Sequence, residues 1–235
     1  MGKILQIETA TEVCSVSIAS EGKVLETIET TKGRSHAAVL SVFIQELINK
    51  TGLSADNLDA IAVSMGPGSY TGLRIGVSTA KGLSYGAGLP LIAVPTLESM
   101  CYGMLEKIKV EKRKICDHAL MAPMIDARRM EVYTAVFTQN IVPVQETSAL
   151  VIKSSSFDDL LKKNKLVFFG EGADKLSDII VHPNAIFIKE FKLSSAFMTI
   201  SSFNRFRRKD FVDVAYFEPY YLKDFITTTP KKKLL

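Results

Sequence analysis

The chain has 235 residues, 47% hydrophobic and 23% charged, with a net charge of +4. That is the balance of a globular protein with a sizeable core, and no run of about 18 apolar residues is present to span a membrane. Three widely spaced cysteines, Cys14, Cys101 and Cys116, with no C-x-x-C pair, exclude a disulfide framework or a cysteine zinc site and suit a reducing compartment; the cytoplasm is the expected location. The charge is too mild to diagnose a nucleic-acid binder, though it permits weak attraction to RNA within an assembly.

"KILQIE" at residues 3 to 8 reads as a buried strand. "VCSVSIAS" alternates with Cys14, Val16 and Ile18 on one face, the period of a half-buried strand. A Glu-Gly turn and "KVLETIET" complete a three-strand meander. Ser35 is a candidate cap for a helix running to Gly52. "LDAIAVSM" is a fourth strand, "SYTGLRIGVSTAKGLSYG" a second helix, "LPLIAVP" a fifth strand and "TLESMCYGMLEKIK" a third helix.

The second half repeats this order. "ALMAPMIDA", "MEVYTAVF" and "IVPVQET" read as strands, "SFDDLLKKN" as a helix, "LVFFG" as a strand, "GADKLSDII" as a helix and "AIFIKE" as a strand. "SAFMTISSFNRFRRK" reads as a final amphipathic helix. Glu8 at the end of the first strand is followed by Glu12-Val13; Asp126 at the matching strand end is followed by Glu131-Val132. The repeat predicts an α/β protein of two lobes, each β-β-β-α-β-α-β. Their expected bounds are 1–103 and 104–235, with the connection near 103–117 and the last segment free to pack back on the first lobe.

Such a duplication suggests the ribonuclease-H-like arrangement shared by sugar kinases, actin and Hsp70. Acids at the strand tips of active members position a metal-bound nucleotide. Glu8 and Asp126 are the candidates here, as a vestigial nucleotide cleft or as solvated strand ends. The first loop, "ETATE", lacks the glycine that close phosphate approach needs.

"GPGSYTGLRIG", residues 66 to 76, invites a phosphate-loop reading that fails by count. A P-loop from Gly66 or Gly68 would place its second glycine at Thr71 or Leu73, and the dinucleotide pattern also ends on Thr71. Instead Gly68, Gly72, Gly76, Ala80 and Ser84 recur every four residues, which from Gly72 onward is one line along a helix. Glycine in a helix costs about 1 kcal/mol against alanine, so this line calls for close packing, on the chain's own sheet or on another subunit. In the preceding helix Val39, Leu40, Phe43, Ile44, Leu47 and Ile48 cover roughly half the circumference, more than the ~100° that one sheet needs. A partner surface made of Val39, Leu40, Phe43, Leu47, Gly72, Leu73, Gly76 and Ala80 is the expectation, to be tested by Gly76→Arg or by Asp at Val39 and Phe43.

His36, His118 and His182 share no metal-ligand spacing. Basic clusters at Arg205, Arg207, Arg208 and Lys209, and at Lys231, Lys232 and Lys233, are solvated faces or RNA phosphate contacts.

"ILQIETATEVCSVSI", "MGPGSYTGLRIGVSTAKGL", "LIAVPTLESM", "MIDARRMEVYTAVF" and "EPYYLKDF" together resemble the TsaB (YeaZ) family over nearly the whole chain. The resemblance implies a cytoplasmic, non-catalytic subunit without a cofactor or metal. Such a subunit partners a TsaD-type transferase and a TsaE-type ATPase in making threonylcarbamoyladenosine on tRNA, meets tRNA only within that complex, and pairs with itself when alone. It implies that Thr96 and Met100 stand where TsaD-like proteins carry a His-x-x-x-His metal pair. A hydroxyl and a thioether replace imidazole poorly at a hard metal site. Glu8 and Met130 depart from the Asp and Gly usual in relatives. A free-standing ATPase or kinase, or a metallopeptidase homologue, remains the alternative reading.

Overall fold

A computed structural model describes residues 2–30 and 35–222; the basic tail at Lys231, Lys232 and Lys233 lies outside the described residues. Two five-stranded sheets repeat one topology. The first takes β1 (Lys3–Glu8), β2 (Cys14–Ser20), β3 (Lys23–Thr30), β4 (Ala60–Gly66) and β5 (Leu91–Pro95) in the order β3-β2-β1-β4-β5. The second takes β6 (Leu120–Asp126), β7 (Glu131–Phe137), β8 (Pro143–Val151), β9 (Leu166–Phe169) and β10 (Ala185–Ile188) in the equivalent order β8-β7-β6-β9-β10. In both, a meander of antiparallel strands continues into two parallel strands reached by helical crossovers.

Helices α1 (His36–Thr51), α2 (Tyr70–Ala87) and α3 (Thr96–Val110) belong to the first repeat; α4 (Asp158–Leu161), α5 (Glu171–Asp174) and α6 (Thr199–Arg208) to the second. α1 ends at Gly52 in a left-handed cap (φ 65°), a conformation open to glycine at no steric cost. Ser35 occupies the N-cap but accepts no side-chain hydrogen bond.

Three expected helices are shorter than their patterns. α4 and α5 have four residues each, and "SAFM" is a 3-10 turn (Ser195–Met198) that precedes α6. After α5 the backbone runs through single turns, with Leu176 N donating to Ala173 O, and Ile179 N and Ile180 N donating to Leu176 O. Ala173, Leu176 and Ile180 are buried. A string of turns presents apolar residues at the same three-to-four spacing as a helix, so the pattern is shared by both.

α1 and α2 cover one face of the first sheet, burying Leu5, Ile7, Val16, Ile18, Ile61 and Val63. The opposite face takes α6, whose Phe203 and Phe206 pack with Ile4, Ala62, Ile92 and Val94. α3 buries Leu97, Met100, Cys101 and Met104 against Met121, Val167 and Phe169 of the second lobe. The last helix of each repeat therefore crosses to the other repeat's sheet.

α6 crosses on a polar face, because the first sheet offers it polar groups. Gln6 is fully buried, and its amide donates to Ser202 Oγ (2.9 Å) and accepts from Ser17 Oγ (2.7 Å) and Thr199 Oγ1 (3.1 Å). Beside it Ser15 Oγ and Ser195 Oγ lie 2.8 Å apart, and Ser194 Oγ donates to Glu29 (2.6 Å). The seam closes with Arg205, whose two terminal nitrogens donate to the two carboxylate oxygens of Glu98 at 2.9 and 3.0 Å, both side chains under one-fifth exposed. A two-pronged, part-buried pair of this kind is strong relative to surface pairs. Arg205→Met should cost about 2 kcal/mol, read as a lower urea midpoint at unchanged slope. An unchanged midpoint would show that the seam does not hold α6.

Candidate functional site

β1 and β6 deliver Glu8 and Asp126 to equivalent strand tips, and the chain turns alike after each. Ala10 N donates to Glu8 Oε1 (2.7 Å), and Arg128 N donates to Asp126 Oδ1 (2.8 Å), two residues on in both cases. The two acids differ in everything else. Glu8 is fully buried, and burial raises its pKa from 4.5 to about 7 against the opposing hydrogen bond from Ala10. Ser64 stands beside it on β4, and its hydroxyl likewise opposes the rise.

Asp126 is exposed and held by Lys175. The lysine ammonium donates to Asp126 Oδ1 (2.5 Å), to Arg129 O (2.7 Å) and to Glu131 O (3.3 Å). It occupies the position of a cation among oxygens at the second strand tip. Nothing in the spacing of the sequence marks this lysine, 49 residues from its acid. Across the cleft Glu171, at the start of α5, meets the first-lobe loop; burial, then the charge of Glu12, raises its pKa, while Thr11 opposes the shift by hydrogen bonding to it.

The glycine line faces the loop that follows Glu8. A Cβ at Gly68 would collide with the carbonyl oxygen of Ala10, one at Gly72 with the carbonyl oxygen of Thr9, and one at Gly76 with Thr9 Oγ1. Ser69, the N-cap of α2, donates its amide to Ala10 O (2.7 Å) and accepts from Gly72 N (3.3 Å). The amino end of α2, where an anion could otherwise bind, is thus engaged by the chain's own carbonyl.

The residues expected to meet a partner lie inside the chain. Val39, Leu40, Leu47, Gly72, Leu73, Gly76 and Ala80 are buried, and Phe43 is half-buried. The broad apolar arc of α1 is used up because the helix touches β2, β3 and α2 together. Gly76→Arg therefore probes the fold and not a docking surface. What α1 and α2 leave open is a shallow groove between them, lined by Ala37, Leu40, Ser41, Arg74, Ile75 and Ser78; Val42, 58% exposed, lies on a separate face of α1 with Gln45, Glu46 and Asn49.

Thr96 and Met100 are both buried in the first turns of α3. Thr96 Oγ1 accepts from Gly66 N (3.1 Å), and Met100 packs in the core between the lobes. Among the described residues no cluster of three or more His, Cys, Asp or Glu side chains is placed to hold a metal ion, and no helix is long and apolar enough to cross a membrane.

Two repeated lobes with an acid at each first strand tip place the chain in the ribonuclease-H-like class of sugar kinases, actin and Hsp70. The family model for TsaD, tRNA N6-adenosine threonylcarbamoyltransferase, matches residues 23–204. The tRNA threonylcarbamoyladenosine biosynthesis protein TsaB of Escherichia coli is 37% identical over 138 residues, 59% of this chain and 56% of that protein. Its Haemophilus influenzae counterpart is 35% identical over 130 residues, 55% of this chain and 51% of that protein. The matches thus span about half the length of these two curated relatives. A crystal structure from Pseudomonas aeruginosa, described as an uncharacterized protein with similarity to peptidase YeaZ, superposes with a TM-score of 0.81 at 23% identity, covering 95% of this chain and all of that one. The chain belongs to this threonylcarbamoyltransferase-related family, and within it to the TsaB (YeaZ) group.

Proposed function

We propose that this chain is a non-catalytic subunit that binds and stabilises a TsaD-type transferase in forming threonylcarbamoyladenosine on tRNA. The observation that carries this reading is the state of the two strand-tip acids. Glu8 is sealed from solvent, and Asp126 is neutralised by an internal ammonium group. A metal-bound nucleotide needs ionised, reachable carboxylates free to take a cation; Glu8 is out of reach, and the cation position at Asp126 is already filled by the Lys175 ammonium. The family relation supplies the pathway, and the cytoplasm is where its tRNA would be met.

The docking surface is the outer face of α1 and α2, with small side chains around the groove. A partner helix can approach closely over Ala37, Ser41 and Ser78. The same face serves self-pairing when the transferase is absent, and a TsaE-type ATPase joins the assembled pair. The lobes divide near residue 103, apart from the crossing of α3 and α6.

Ser41→Arg combined with Ser78→Arg should abolish co-purification with the transferase while shifting stability by no more than about 0.5 kcal/mol, as surface changes do. Undiminished co-purification would place the contact elsewhere. The isolated chain should neither hydrolyse ATP nor modify tRNA, and should restore modification when added to the transferase. ATP turnover by the chain alone, lost in Asp126→Ala, would instead support a free-standing ATPase of this fold.

A further inference from the structure

The carboxyl end of α6 gathers cations that the fold does not use. Arg205 is committed to Glu98 and, at 3.8 Å, to Asp210. Arg207, Arg208 and Lys209 follow, all exposed, and none forms an ion pair among the described residues. Lys23 adds a fourth exposed cation nearby, because Phe203, one turn before Arg207, lies against Gly22 (a Cβ there would be 3.2 Å from its ring).

Cations at the end of a helix are commonly explained by the helix dipole. Here two of the last four carbonyls have backbone partners: Lys209 N donates to Phe206 O and Asp210 N to Arg205 O. Capping of those two therefore does not require the three side chains. The cap residue itself, Lys209, stands in the left-handed region (φ 56°), where glycine is the usual choice.

α6 covers the face of the first sheet opposite α1 and α2. A transferase docked on those helices leaves this patch open. We propose that Arg207, Arg208 and Lys209, with Lys23 at the margin, form a contact surface for the phosphate backbone of tRNA. The inference rests on the reading above for the identity of the RNA. Charge complementarity argues for the occupant: three adjacent uncompensated cations attract a polyanion without reading its bases. The patch offers an anionic bilayer little apolar surface besides part-exposed Ile200 and Phe211.

The test measures binding of an unmodified tRNA transcript by fluorescence anisotropy between 50 and 300 mM KCl, with the isolated chain and with its transferase complex. The triple variant Arg207→Gln, Arg208→Gln, Lys209→Gln should weaken binding about tenfold or more near 150 mM salt. The slope of log affinity against log salt should fall by about two, at roughly 0.7 to 0.9 for each phosphate that is no longer neutralised. Arg207→Lys with Arg208→Lys should keep the slope, and separates charge from any loss of folding. Unchanged affinity and slope in the triple variant would overturn the surface, as would a lower melting temperature with RNA binding intact. So would binding of the patch to phosphatidylserine vesicles but not to RNA. Loss of RNA binding in a chain that never retains a transferase would keep the surface and overturn the partner reading.

Discussion

Gly72→Ala is expected to destabilise the chain by about 3 kcal/mol or more, while Gly82→Ala on the same helix should stabilise it by about 1 kcal/mol. Both substitutions raise helix propensity equally, so propensity alone predicts two equal gains. Packing separates them. A methyl group at Gly72 meets the carbonyl oxygen of Thr9, a backbone atom that moves only if β1 moves; one at Gly82 meets nothing within 4 Å. Gly76→Ala should fall between, because its obstacle is Thr9 Oγ1, a side-chain atom that can rotate. Thr9→Ala should relieve most of the Gly76→Ala cost and little of the Gly72→Ala cost. Urea unfolding of the set measures this. Equal effects at Gly72 and Gly82 would mean that the loop after β1 does not sit on α2.

Stability should fall as pH rises from 4.5 to 7, and Glu8→Gln should remove that part of the fall. Glu8 titrates near 7 in the folded chain and near 4.5 when unfolded. Below 4.5 both states carry the proton, and the group has no effect. Between the two values only the folded state carries it, so each pH unit costs about 1.4 kcal/mol. Above 7 the loss levels off at about 3 kcal/mol. The amide of Glu8→Gln keeps an acceptor for Ala10 N and places a donor beside the Ser64 hydroxyl. The variant should match the native chain near pH 4.5 and exceed it by up to about 3 kcal/mol at pH 8. Because Glu171 titrates upward as well, the quantity to follow is the difference between variant and native chain. A difference that does not grow with pH would show that Glu8 is hydrated in the folded state.

The repeated element order was legible in the sequence because strand alternation and strand-end acids are local signals. "VCSVSIAS" and "MEVYTAVF" carry the same period in the two halves, and both form the second strand of a meander. Glu8 and Asp126 were legible as a pair for the same reason. Lys175 was not, since it reaches Asp126 only through the packing of α5 on β6. The four-residue glycine spacing was visible too, and it indicated close approach without indicating what approaches.

The amino-acid order by itself determined two α/β repeats, a helix with a line of small residues and an acid at each first strand tip. Only the tertiary structure decided that Thr9 and Ala10 fill that line, that α3 and α6 cross between lobes, and that Glu8 is buried while Asp126 is paired. Periodicity states which residues share a face, because it depends on backbone geometry within one element. What covers the face, and how far a carboxyl group is removed from water, depends on residues tens to hundreds of positions away.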